Sequence, residues 1–125
     1  MNRIALPVYR TRLSPVLDTC TRLLLIDLKV GRETRRREIA TTGILLSDRT
    51  HLLLGLQVEL VICAGTSQQL YCTLKLGGMK LITGIVGEIE HVVQGFLNGR
   101  LQDPVFRMPG FSPLHALTEI SHHAP

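Results

Sequence analysis

The sequence has no tryptophan and only two tyrosines and three phenylalanines among 125 residues. A surface that reads unpaired bases needs aromatic faces to stack on, so the composition gives little support to a single-strand nucleic-acid binder. There are three cysteines, Cys20, Cys63 and Cys72. An odd number without a close pair is neither a disulfide framework nor a zinc pattern. No apolar run reaches the roughly 18 residues of a membrane span. The opening MNRIALPVYR carries Arg3 and Pro7 where a signal peptide would have its apolar segment. A cytoplasmic protein without a membrane partner is expected.

Charge of one sign is also scarce. Lysine and arginine number 14 against 10 acidic residues, a net charge of +4, with a pI near 9.3. Much of the excess sits in GRETRRRE, residues 31 to 38, and such a run reads first as a solvated face. Binding of nucleic acid through Arg32, Arg35, Arg36 and Arg37 is the weakest of three readings, and no nucleic-acid partner is expected.

Catalytic signatures are missing too. A two-metal nuclease needs carboxylates, one of them on its first strand, and RIALPV has none. Neither G-x-G-x-x-G nor G-x-x-x-x-G-K-[ST] occurs, which leaves dinucleotide and P-loop sites unsupported. Ser67 after Gly65 is not a G-x-S-x-G elbow. No enzyme activity is expected.

What remains is a chain of the length of one domain, 45% hydrophobic and able to bury roughly two thirds of its extended surface. Arg3 to Val8 reads as a strand, with Pro7 near its end. Tyr9 to Thr21 reads as a loop. Arg22 to Val30 (RLLLIDLKV) and Glu33 to Thr41 read as a hairpin around Gly31, the second strand having one wet face. A helix is expected from Ser47, its N-cap, to about Leu56, burying leucines among Leu52, Leu53 and Leu56. A strand follows at Val58 to Ile62, a helix from Ser67 to about Leu76 stopped by Gly77 and Gly78, and a short strand at Met79 to Thr83. Ile89, Val92, Val93, Phe96 and Leu97 make one apolar stripe on a helix over Gly87 to Asn98. The order βββαβαβα implies an α/β domain, residues 1 to 100, with helices packed on one mixed sheet. Residues 101 to 125, rich in proline, read as an irregular C-terminal tail.

Helical crossovers make the last two strands parallel. With the first strand parallel to them, three loops meet at one sheet edge: Tyr9 to Ser14, Ala64 to Ser67, and Gly84 to Gly87. Open sheets bind ligands at such an edge. Arg10 and Arg12 leave the first strand there. Cys63, Ala64 and Gly65 let a ligand approach the backbone, and Thr66 and Ser67 open a helix whose N–H groups attract anions. Gly84 and Gly87 give the same access at the next helix. Each has a plainer reading. Cys63 suits a small buried apolar position as well as a metal ligand. Arg10 and Arg12 suit solvated side chains as well as anion contacts, and the Thr66–Ser67 cap is structural wherever that helix forms. Cys20, Cys72 and His91 read as packing or surface groups, and His122 and His123 lack a third ligand.

RIALPV, LLLIDL, VICAGTSQQL, GGMKLITGIVGEIEHVVQGFLNGRL and DPVFRMPG, in that order and spacing over residues 3 to 110, resemble the dinitrogenase iron-molybdenum cofactor biosynthesis family, the group of NifX, NifY and the NifB C-terminal domain. The resemblance implies a ribonuclease H-like fold with a five-stranded mixed sheet and three helices. It implies non-catalytic binding, storage or transfer of a metal–sulfur cluster: the iron-molybdenum cofactor, its precursor or a related molybdenum-containing cluster. The implied partners are that cluster and a cofactor-assembly or acceptor protein, with the chain a monomer or weak dimer. Members often carry histidine in the loop after the first strand, where this chain has LSPVLD, residues 13 to 18. Many read cysteine-glycine-alanine where it has Cys63, Ala64 and Gly65. Some place cysteine where it has Phe111. These departures support the alternative, an interaction or regulatory module that kept the fold and lost the cluster.

Overall fold

The computed structural model describes residues 2–108. Six strands form one mixed sheet: β1 (Asn2–Tyr9), β2 (Arg12–Leu13), β3 (Arg22–Lys29), β4 (Arg32–Ala40), β5 (Leu60–Ile62) and β6 (Lys80–Ile82). The order is β4-β3-β1-β5-β6, with β2 paired to β1. β1 is antiparallel to β3 and parallel to β5, and β5 is parallel to β6. The expected count of five strands is therefore one short. The sixth is the two-residue β2, which folds back on β1 with Val8 opposite Leu13. Two residues are too few to show an alternating pattern, so this strand carried no periodic signal.

Three helices, α1 (Leu46–Gly55), α2 (Gln68–Leu76) and α3 (Ile89–Leu97), cover the sheet. The odd and even residues of the strands explain how. Ile4, Leu6 and Val8 of β1 join Leu24, Ile26 and Leu28 of β3 on one face, under Ile89, Val92 and Val93 of α3. Ala5, Leu23, Leu25 and Val61 point the other way, under Leu53 of α1 and Leu70 and Leu74 of α2. Side chains alternate across a strand, so both faces are apolar wherever a helix lies on each. β4 sits at the sheet edge, carries mostly exposed charged residues and has no helix to bury it. No helix among the described residues is long and apolar enough to cross a membrane.

The start of α1 differs from expectation. The N-cap is Leu45, without a side-chain cap, rather than Ser47. A buried arginine fixes the entry instead. Arg49 donates from Nε to the Ile44 carbonyl at 3.1 Å, from Nη2 to the Thr41 carbonyl at 3.0 Å and from Nη1 to Cys20 Sγ at 3.4 Å. Of the expected leucines only Leu53 is fully buried, with Leu52 and Leu56 half-buried.

The segment after Arg100 does not leave the body at once. Leu101 and Phe106 are buried, and a 3-10 turn spans Pro104–Phe106. The Phe106 ring rests on Gly95 of α3, where an added Cβ would come within 2.4 Å of Phe106 Cζ. That glycine stands mid-helix because the ring needs the space. The rest of the expected tail, from residue 109, lies outside the described residues.

Candidate functional site

β1, β5 and β6 run parallel, so their carboxyl ends share one edge. The loops leaving them are tied to one another through the backbone. Leu17 N–H donates to the Gly65 carbonyl at 2.8 Å, Gly84 N–H to Ala64 at 2.8 Å, and Leu13 N–H to Gly87 at 2.9 Å. Met108 N–H closes the ring by donating to Gly84 at 2.9 Å. Gly65 lies so close to the first loop that a Cβ would sit 3.0 Å from the Pro15 carbonyl oxygen. Gly84 and Gly87 hold φ of 78° and 137°, the left-handed region that suits glycine. The loops that carry Arg10, Arg12, Ala64 to Ser67, Gly84 and Gly87 thus meet at one rim, and Cys63 lies just beneath it.

Their side chains are engaged as follows. Ser67 caps α2, its hydroxyl accepting from Leu70 N–H at 3.1 Å. Asp18 Oδ1 reaches the same helix end, accepting from Ser67 N–H at 2.8 Å and from the Thr66 hydroxyl at 2.9 Å. Burial pushes the Asp18 carboxyl up, but the hydrogen bonds from Ser67 and Thr66 outweigh it and hold it below the ordinary carboxylate range. A protein carboxylate therefore already stands at the positive end of α2.

The start of α3 is held differently, without a side-chain cap. Glu88, its N-cap, accepts from the Thr11 hydroxyl at 2.7 Å and from Arg12 Nη1 at 3.3 Å. Ile89 N–H is used by the Thr11 carbonyl at 2.9 Å. Arg12 is thus paired within the protein, although the pair is more than half exposed and worth little in water. Arg10 stands differently. Its guanidinium lies 5.4 Å from the Tyr9 ring centroid, and its backbone, at φ 57°, turns the chain sharply after β1. It lines a depression of about 330 Å³, floored by Val8, Leu24 and Ile89 and walled by Arg36 and Glu90. Arg36 bridges that wall, donating to Glu33 and Glu90; these bonds raise its already high pKa.

Cys63 lies beneath the rim with 0% of its surface exposed. Burial, reinforced by the charge of Asp18, pushes its thiol up to about 12. A protonated thiol without surface touches a bound cluster only if the surrounding backbone opens. Cys20 is buried too and its thiol is raised by burial. Among the described residues no group of three His, Cys, Asp or Glu side chains could hold a metal ion.

Asp18 and Glu88 are the rim residues that sequence reasoning missed. A single Asp in a proline-containing loop has no periodic or spacing signal. Glu88, directly before the apolar stripe, was the legible one, since acids favour a helix start.

No family model and no curated protein sequence matches the chain. Solved structures do. PH0822 superposes with a TM-score of 0.74 at 16% identity, covering 78% of this chain and 90% of its own. A candidate dinitrogenase from Methanocaldococcus jannaschii gives 0.67 at 14%, covering 80% and 92%. A candidate NifB protein from Thermotoga gives 0.63 at 19%, covering 80% and 90%. The likeness shows the fold. At these identities it is a likeness of architecture, shared with proteins named for nitrogen fixation.

Proposed function

We propose that the protein is a non-catalytic carrier that binds a metal–sulfur cluster, the iron-molybdenum cofactor, its precursor or a related molybdenum-containing cluster, and holds or transfers it during cofactor assembly. The observation that carries the reading is the meeting of the Arg10, Gly65 and Gly84 to Gly87 turns at one rim. It is supported by an architecture shared with candidate dinitrogenase and NifB proteins, for which the ribonuclease H-like label is part of the same reading. The cargo is a large anion. Arg10 at the depression and Arg12, exchanging Glu88 for the cluster, would supply charge, and the rim glycines close backbone approach. Thiolate ligation by Cys63 is not needed for this binding. The cargo's acceptor is an assembly protein, and the carrier acts as a monomer or weak dimer in the cytoplasm.

The test is anaerobic mixing of the purified protein with tetrathiomolybdate, read by visible absorption and by metal co-eluting on gel filtration. Binding is expected, and Arg10→Ala with Arg12→Ala should weaken it about tenfold, since two charge-assisted contacts are lost. No absorption change and no co-eluting metal would count against the carrier.

A second reading is supported by Asp18 and Glu88. Asp18 already accepts from the start of α2, and Glu88, at the start of α3, already pairs with Arg12. A rim so neutralised suits an interaction or regulatory module that kept the fold and lost the cargo. Asp18→Asn separates the two readings. A carrier should gain affinity for tetrathiomolybdate when that negative charge goes, whereas a module that has lost the site should show no binding before or after.

A further inference from the structure

The arginine run of β4 looks mixed in sequence but is sorted in space. The register sets Leu24 opposite Glu38 and Leu28 opposite Glu33, so both acids of the strand lie on the α3 face. There they are consumed: Glu33 and Glu38 accept from Arg36 and Arg22. The other face carries the opposite charge. Lys29 stands opposite Arg32, Asp27 opposite Arg35 and Leu25 opposite Arg37. Lys29, Arg32, Arg35 and Arg37 are all exposed. The one acid among them, Asp27, is gripped by both Arg3 Nε at 2.6 Å and Arg3 Nη2 at 3.2 Å. Like charges directly opposite each other, as at Lys29 and Arg32, destabilise a sheet. A strand that needed only to stay soluble could have mixed its signs on that face, as it does on the other.

A second feature lies beside this one. β4 ends the sheet order, so among the described residues its outer backbone edge is unpaired, and it is the longest strand of the sheet, with nine residues. We propose that β4 is a docking edge for an extended acidic protein segment, which adds to the sheet as a further strand with acidic side chains at alternate positions. Main-chain hydrogen bonds would hold the segment, and its acids would face Arg35 and Arg37, two residues apart on one face. A nucleic acid would use the charge but not the backbone edge, so the observations favour a peptide. The inference does not depend on whether the rim carries a cluster.

The probes are a fluorescein-labelled peptide alternating threonine and glutamate, a peptide of the same composition with its glutamates in one block, and a single-stranded DNA of equal charge. Fluorescence anisotropy on the full chain should show the alternating peptide binding about tenfold tighter than either control. Hydrogen exchange of residues 32 to 40 should slow in the complex. Arg35→Glu with Arg37→Glu should abolish the binding, and the reversed variant should instead take a peptide alternating threonine and lysine, which also shows that it is folded. Should that variant not fold, Arg35→Gln with Arg37→Gln should still weaken the acidic peptide about tenfold. Equal binding of the two peptides, no change in the variants, or tighter binding of the DNA would overturn the proposal.

Discussion

The carboxylate of Asp18 accepts the backbone N–H of Ser67 at 2.8 Å, across a sequence separation of 49 residues. The loop between β2 and β3 thereby supplies the negative charge that the start of α2 attracts. The contact joins the first and second halves of the chain at the rim, and it decides how that rim responds to acid.

Because hydrogen bonds hold the Asp18 carboxyl below its ordinary value, the folded protein takes up that proton less readily than the unfolded chain. The stability from this shift is fully present above the unfolded carboxyl value of about 4 and is lost as pH falls through the lower folded value. Asp27, lowered by its hydrogen bonds to Arg3, acts in the same direction. Denaturant melts of Asp18→Asn should therefore show a shallower loss of stability below about pH 4 than the parent.

Gly95→Ala should destabilise the fold by about 1–3 kcal/mol, the usual cost of overpacking. The new methyl would meet the Phe106 ring, which also lies 4.8 Å from the His91 ring, centroid to centroid. Phe106→Leu should recover part of the loss, so that a double-mutant cycle in urea gives a coupling between the two positions.

Arg49→Met should cost about 1–3 kcal/mol. It removes one donor each from the Thr41 and Ile44 carbonyls and from Cys20 Sγ; the Thr41 carbonyl keeps the Ile44 N–H at 3.2 Å, and a buried acceptor that loses its partner costs about 1–3 kcal/mol. Arg49→Lys should recover little, because one ammonium cannot span the three partners of a guanidinium. Thermal unfolding followed by circular dichroism checks both.

Iodoacetamide at pH 8 should modify Cys72 well before Cys63. Cys72 is half-buried on α2, while Cys63 has no exposed surface and its thiol is held up to about 12. Mass spectrometry of the labelled peptides should show Cys63 reacting only once the protein unfolds.

The elements that periodicity controls were legible. The stripe of Ile89, Val92 and Val93 placed α3, and the apolar run of β3 placed an interior strand of the sheet. What escaped was set by contacts distant in sequence. β2 exists because Leu13 returns to Val8. The start of α1 follows a buried arginine rather than the nearby serine. At the rim, the meeting of the loops followed from parallel strands, but the state of the charges did not. Which carboxylate reaches the start of α2 is a matter of side-chain reach across loops, and no spacing rule encodes it.

β1 touches its neighbours in two very different ways. It pairs along its length with β3, but its other side meets β5 only through Ile4 with Leu60 and Ala5 with Val61. The β3–β4 hairpin can zip locally and early, whereas the parallel seam must wait until a long intervening chain has closed on itself. The rim is made of loops that straddle that seam. It is thus a late product of folding, absent from any species in which only the amino-terminal meander has assembled.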